Sequence, residues 1–177
     1  MDANQRVEAL KRAIRDVADF PKPGIVFKDL TTLLQDSASF HSAMEQLQEL
    51  VAGRQVRKVI GIESRGFVWG GALADRLGVG FVPVRKPGKL PWRRIAASYA
   101  LEYGTDTLEM HEDAVSRGES VLVVDDLIAT GGTAHAVGEL VRRLGGKVAA
   151  YAFVVELTFL NGRRQLSDAD VLSLIRY

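Results

Sequence analysis

Apolar residues in the first part of the chain recur with a helical period. Val7, Leu10, Ile14 and Val17 fall three or four positions apart, so the chain is expected to open with an amphipathic helix. Phe20-Pro21-Lys22-Pro23-Gly24 breaks it and forces an extended excursion, because proline fixes φ and biases the residue before it away from helix. A second helix is expected from about Asp36 or Ser37, with Phe40, Met44, Leu47 and Val51 on one face and a stop at Gly53. After that the pattern changes. Lys58 to Glu63, Gly80 to Arg85, the run from Val121, and Val148 to Val155 are apolar stretches that read as strands. In the run from Val121 alternation is lost, as in a strand buried on both faces. Helical segments are read at Gly66 to Leu77 and at about Gly132 to Leu144. Lys86 to Ala97 reads as a basic loop bearing proline and glycine. Ser98 to Tyr103 and Thr107 to His111 read as a hairpin around Gly104-Thr105-Asp106. Val171 to Ile175 is a short last strand. Strands alternating with helices predict an α/β fold, a central, mostly parallel, twisted sheet flanked by helices. In such sheets ligands bind at the carboxyl ends of the strands.

Composition narrows the classes only a little. The chain has 177 residues, 47% of them hydrophobic and 25% charged, which suits one globular domain with a sizeable core. A formal net charge of +1 gives no global attraction to nucleic acid or membrane. The chain contains no cysteine, which excludes disulfides, thiolate metal sites and a cysteine nucleophile and fits a cytoplasmic location. Its start has no signal-peptide pattern, and no apolar run is long enough to span a bilayer. His41, His111 and His135 are scattered without metal-ligand spacing and receive no role.

The run Val121-Leu122-Val123-Val124-Asp125-Asp126-Leu127-Ile128-Ala129-Thr130-Gly131-Gly132-Thr133 carries the chemistry. Its end exposes backbone N–H groups at a helix start, a setting that suits phosphate. The two aspartates cannot serve phosphate as well, since like charges repel. They suit a hydroxylated, metal-bound group beside it, and the combination describes a ribose 5-phosphate. The run lacks the Gly-Lys-Ser/Thr of a nucleotide-binding P-loop and the GxGxxG spacing of a dinucleotide site.

This run resembles the phosphoribosyl pyrophosphate signature of the type I phosphoribosyltransferases. Further segments look like the adenine phosphoribosyltransferases of that family: Phe20 to Asp29, Glu63-Ser64-Arg65-Gly66-Phe67, Val84 to Pro91, Ser98 to Gly104, and Val155-Glu156-Leu157-Thr158 with Gly162-Arg163. They cover most of the chain, in order. The resemblance implies one domain over 1–177, with about 1–35 contributing to a small hood over the base and about 86–111 forming a flexible β-hairpin loop. It implies Mg²⁺-dependent transfer of the phosphoribosyl group to adenine, giving AMP, in a homodimer that needs neither nucleic acid nor membrane.

What it implies for individual residues varies in how far the residues themselves agree. Asp125 and Asp126 would hold the ribose hydroxyls, directly or through metal-bound water, with Mg²⁺ bound mainly through substrate. Ala129, Thr130, Gly131, Gly132 and Thr133 would cradle the 5′-phosphate. Arg65, at a second helix start, would meet pyrophosphate, and the resemblance suggests a cis bond at Glu63-Ser64. Arg85, Lys86 and Lys89 would also face pyrophosphate, although a solvated basic loop is the usual reason for such a cluster. Trp92-Arg93-Arg94 departs from the pattern expected after Lys-Leu-Pro. Val26, Phe27 and Lys28 would bind adenine, with the Phe27 ring stacking and the main chain reading the edge; composition alone favours a core-plugging connection there. Glu102 would handle the proton of the base, together with Arg65 as the catalytic pair. Strand period alone makes Glu102 simply the polar side of an exposed strand. Two other functions stay open: transfer to another 6-substituted purine such as xanthine, and a regulator that senses phosphoribosyl pyrophosphate without turnover.

Overall fold

The computed structural model describes residues 2–100 and 104–177, with Ala3 and Ala100 described by backbone only. The chain runs α1 (Ala3–Ala13), β1 (Arg15–Ala18), β2 (Val26–Asp29), α2 (Thr31–Gln35), α3 (Ser37–Leu50), β3 (Lys58–Ile62), α4 (Gly66–Leu77), β4 (Gly80–Val84), β5 (Arg94–Ala100), β6 (Thr105–His111), β7 (Ser120–Ile128), α5 (Gly132–Arg143), β8 (Lys147–Glu156) and β9 (Asp170–Arg176). Two 3₁₀ turns, Thr158–Leu160 and Gly162–Gln165, join β8 to β9.

Five strands form one sheet in the order β4-β3-β7-β8-β9, every pairing parallel. Both faces are covered, which is why β7 lacks alternation. Leu122 and Val124 pack into a core shared with Leu10, Met44, Leu47, Trp69 and Leu73 of α1, α3 and α4. Val121 and Val123 pack into a second core with Val137, Leu140 and Val141 of α5 and with Ala97, Leu108 and Met110 of the β5–β6 hairpin.

The connections explain where a ligand can sit. From β3 the chain crosses through α4 to β4 on one side; from β7 it crosses through α5 to β8 on the other. The strand order therefore reverses between β3 and β7, and the two outgoing connections leave a crevice at their carboxyl ends. Pairing between β3 and β7 stops at Gly61↔Val124, while β7 continues beside β8 to Ile128↔Glu156.

Three expectations need correction. The first helix ends at Ala13, because Ile14 turns extended at ψ 130°, and Val17 lies on β1. Pairing of β1 with the returning β2, braced by Arg15–Asp29 and Lys28–Asp16 ion pairs, overrides the helical period. The hairpin is longer than expected: β5 begins at Arg94, and Thr105 and Asp106 belong to β6, in register from Arg94↔His111 to Ala100↔Thr105. The basic loop is shortened to match. Finally, the short helix α2 is an element the periodicity did not suggest.

Candidate active site

Asp125 and Asp126 lie within β7, two residues before its end, and not in the turn that follows. They stand where β3 has already departed, so their side chains reach the crevice. Asp125 Oδ1 accepts the Asp126 backbone N–H at 2.9 Å. The start of α4 closes on the same carboxylate: a Cβ at Gly66 would stand 2.7 Å from Asp125 Oδ1 and 3.1 Å from the Val124 carbonyl, so residue 66 must lack one. Burial pushes the Asp125 carboxyl well above the usual carboxylate range, and the neighbouring Asp126 pushes it further. Asp126 is buried and accepts the Nε–H of Arg65. The pair is thus short of positive charge, with one guanidinium facing two carboxylates.

Beyond the aspartates, Gly131 adopts φ 87° and α5 starts at Gly132, with no side chain among the described residues capping it. The N–H groups of its first turn are left for an anion, and the helix dipole favours one there. A pocket of about 80 Å³ lies against Leu127, Ala129, Gly131, Thr133 and Ala134. The turn is held by close packing. A Cβ at Gly131 would meet the Gly162 carbonyl at 2.3 Å, and one at Gly162 would meet the Ala129 carbonyl at 2.3 Å. Arg163 fixes this second segment through both carboxylate oxygens of buried Glu156 and the Val171 carbonyl, 2.7 Å away. The Gly162-Arg163 and Glu156 motifs thus buttress the turn.

On the opposite side, β3 leads into Glu63-Ser64, joined by a cis peptide bond, and then Arg65. Glu63 holds the basic loop. Its carboxylate accepts the Lys86 backbone N–H at 2.8 Å and the Lys89 ammonium, and lies 3.4 Å from Arg85 Nε. Burial alone would raise the Glu63 carboxyl; the bonds from Lys89 and the Lys86 N–H outweigh it and hold the group below the usual range. The Lys86 ammonium pairs with Asp106 at 3.0 Å, and that hydrogen bond raises it.

One cleft of about 440 Å³ brings most of the expected residues together: Arg65, Lys86, Lys89, Asp125, Asp126 and Thr133 line it, with Glu63, Ser64, Tyr99 and Leu127. Phe27 joins from the hood side. Its ring centre is 5.9 Å from the Arg65 guanidinium, and Phe20 braces it edge-on at 5.2 Å. Arg85 reaches the site through Glu63. Thr130, Val26 and Lys28 lie outside the lining. Lys28 directs its ammonium to Asp16 at 2.6 Å and over the Tyr177 ring at 4.1 Å, so only its main chain is left for a base. Glu102 lies outside the described residues.

Sequence reasoning missed Glu63 as the anchor of the basic loop and Tyr99, whose hydroxyl donates to Asp106 at 3.3 Å. A carboxylate next to a basic helix start and an aromatic within the hairpin were the available signals. Neither gives the distance in space.

The phosphoribosyl transferase domain family matches residues 30–174. The chain is 55% identical to the adenine phosphoribosyltransferase of Acidobacterium capsulatum over 96% of this chain and 94% of that one. Among solved structures it is similar to the adenine phosphoribosyltransferase of Thermoanaerobacter pseudethanolicus, with a TM-score of 0.94, 51% identity, and coverage of 97% of this chain and 99% of that chain. It is also similar to the Saccharomyces cerevisiae enzyme complexed with D-2,5-dideoxy-2,5-imino-altritol 1,6-bisphosphate and adenine, with a TM-score of 0.91, 42% identity, and coverage of 97% and 99%.

Proposed function

The chain belongs to the phosphoribosyl transferase family, among its adenine phosphoribosyltransferases, and from that premise we propose how its cleft works. The enzyme transfers the 5-phosphoribosyl group from phosphoribosyl pyrophosphate to adenine, giving AMP and pyrophosphate, a purine salvage reaction. The N9–C1′ bond forms, the C1′–oxygen bond to pyrophosphate breaks, and the base loses its N9 proton. Negative charge grows on the departing pyrophosphate, so catalysis is mainly positioning and electrostatic stabilisation.

The observation that carries the assignment is the set of groups gathered in one cleft. Thr133 from the first turn of α5, which no described side chain caps, lines it together with two adjacent aspartates and the cations Arg65, Lys86 and Lys89. An anion-binding helix start, paired carboxylates and a cluster of cations suit the 5′-phosphate, ribose and pyrophosphate of one substrate. Ala129, Thr130, Gly131, Gly132 and Thr133 cradle the 5′-phosphate. Asp125 and Asp126 hold the ribose hydroxyls. Arg65, Arg85, Lys86 and Lys89 neutralise pyrophosphate. The Phe27 ring stacks on adenine, with the main chain of Val26 and Lys28 reading its edge. Glu102 takes the proton, an assignment supported by resemblance alone.

The donor set fits Mg²⁺. Two adjacent carboxylates with one guanidinium favour a further cation, and hard oxygen ligands suit this one. Among the described residues no cluster of three His, Cys, Asp or Glu side chains could hold a metal; the ion would be held mainly through substrate oxygens. When bound, the ion supplies charge neutralisation between pyrophosphate and ribose. Asp125 and Asp126 would meet it, directly or through water.

A homodimer and a cytoplasmic location complete the reading. Val68 on α4 and Phe81 on the edge strand β4 are large apolar side chains left exposed, which suits a subunit contact. Among the described residues no helix is long and apolar enough to cross a membrane.

One incubation tests the function. Protein, Mg²⁺ and phosphoribosyl pyrophosphate are mixed with a panel of purine bases, and nucleotide formation is followed. AMP alone is the expected product. XMP in its place would reassign the base, and no nucleotide from any base would overturn the enzymatic reading.

A further inference from the structure

We propose that Glu109, paired with Arg94, is a positioning residue that sets the Arg85–Lys89 loop for pyrophosphate. The inference rests on the assignment of that loop to pyrophosphate made above.

Glu109 lies on β6 and is only 7% exposed, a buried carboxylate outside the cleft lining. It is tied to the loop twice. Its backbone exchanges both hydrogen bonds with Arg85, Arg85 N–H to the Glu109 carbonyl at 3.0 Å and Glu109 N–H to the Arg85 carbonyl at 2.7 Å. Its carboxylate then turns back and accepts the Gly88 N–H at 3.1 Å. One residue therefore fixes where the loop starts and where it bends. The bend matters because Gly88 has φ 80°, a conformation that a local contact must hold in place.

The same carboxylate oxygen lies 3.0 Å from Arg94 Nε. Arg94 and Glu109 are diagonal neighbours on β5 and β6, since Ala96 faces Glu109 in the register. This gives the third residue of Trp92-Arg93-Arg94 a role: it supplies the charge that a buried carboxylate needs. Glu63 holds the inner side of the loop, through Lys86 N–H and the Lys89 and Arg85 side chains. Glu109 holds the outer side. When pyrophosphate draws Lys89 and Arg85 off Glu63, the bond from Gly88 to Glu109 keeps the loop in register. Glu109 touches neither substrate nor reacting atoms, so it acts only through the loop.

The test is a steady-state comparison of wild type, Glu109→Gln and Arg94→Met, with the Michaelis constants for phosphoribosyl pyrophosphate and for adenine measured separately, alongside melting temperature. Glu109→Gln keeps an acceptor for Gly88 but loses the charge that pairs with Arg94. The constant for phosphoribosyl pyrophosphate is expected to rise about tenfold, the size of one lost charge-assisted bond. Arg94→Met, at an exposed strand end that tolerates substitution, should raise it about threefold. The constant for adenine should stay within about twofold in both. Equal rises for the two substrates, or a lower melting temperature with both constants unchanged, would reduce Glu109 to a scaffold residue and overturn the proposal. Wild-type protein that forms no AMP would overturn the reading of the cleft instead.

Discussion

The turn at 129–133 and the loop at 85–89 both border the cleft of the two aspartates, yet close glycine packing dominates in one and carboxylate pairing in the other. The turn is locked by glycine-to-carbonyl packing between Gly131, Gly162 and Ala129, with no room for a methyl group. The loop is held by carboxylates: Glu63 on Arg85, Lys86 and Lys89, Asp106 on Lys86, and Glu109 on Gly88. The difference fits the roles proposed for the two ends. The 5′-phosphate is present in both substrate and product, so its site can be rigid. Pyrophosphate arrives and leaves, so its cations must exchange one anionic partner for another. Carboxylates that pair with them between turnovers allow that exchange at little cost.

The largest expected effect comes from removing what both ends share. Asp125→Asn with Asp126→Asn should lower turnover by about 10³-fold, since on the proposed assignment the ribose loses its charged partners. The fold should not suffer. The folded Asp125 carboxyl lies above its unfolded value, so the unfolded state releases its proton first as pH rises. Stability is therefore lost as pH climbs through that window, so burying this carboxyl costs the fold stability above the unfolded value. Asp125→Asn alone should raise the melting temperature at pH 7 by a few degrees, for a gain of about 1 kcal/mol. Near-normal turnover in the double variant would sink the assignment of ribose to β7. A melting temperature that falls would show that Asp125 serves the fold.

Next in size is Gly131→Ala, which attacks the rigid end. The residue sits at φ 87°, and its new Cβ would collide with the Gly162 carbonyl. A turn that cannot give must shift, and a displacement of about 1 Å at such a site costs on the order of 10²-fold in kcat/KM. The loss should appear in binding of phosphoribosyl pyrophosphate and of AMP alike, because both carry the 5′-phosphate. A variant impaired with the first but normal with the second would place the phosphate elsewhere. The tenfold effect expected at Glu109 sets the scale for the charge-held end.

Much of this contrast was legible in the chain, for identifiable reasons. Val121 to Val124 read as a buried strand because no polar residue interrupts it, and the glycines after Thr130 announced a turn. Strand period did not reveal that Asp125 and Asp126 still belong to β7, since pairing with β8 continues where pairing with β3 has stopped. Val17 fits a helical spacing and a strand equally well; only the β1–β2 pairing decides. Arg94 looked like loop because a charged residue says little about strand until its partner Glu109 is placed beside it. The anchors of the basic loop were the least legible. Glu63 and Lys89 are 26 residues apart, and no local pattern joins them. Charge pairing leaves weaker marks in a sequence than packing does, so the end built by packing was the easier one to read.

The smallest expected effect sharpens the contrast in the hood, a third region built by charge. Asp29 ends β2 and accepts the Thr31 hydroxyl at 2.7 Å, the Thr31 N–H at 2.9 Å and the Arg15 guanidinium at 2.5 Å. The bonds from Thr31, then from Arg15, hold its carboxyl down to about 2. A depressed carboxyl contributes stability above its unfolded value and loses it as pH falls through the folded one. Asp29→Asn should therefore destabilise the protein by about 1 kcal/mol near neutral pH, a figure that allows for solvent screening of Arg15. The gap in melting temperature from wild type should shrink as pH falls below about 4 toward the folded value of about 2. Because β2 carries Phe27, the adenine constant should rise about threefold, with the phosphoribosyl pyrophosphate constant unmoved. Gly131→Ala should show less dependence over that range, since the contact it disturbs is glycine-to-carbonyl packing and the Glu156–Arg163 pair behind the turn is left in place. If the two variants respond to acid alike, the division between a packed end and charge-held regions is wrong.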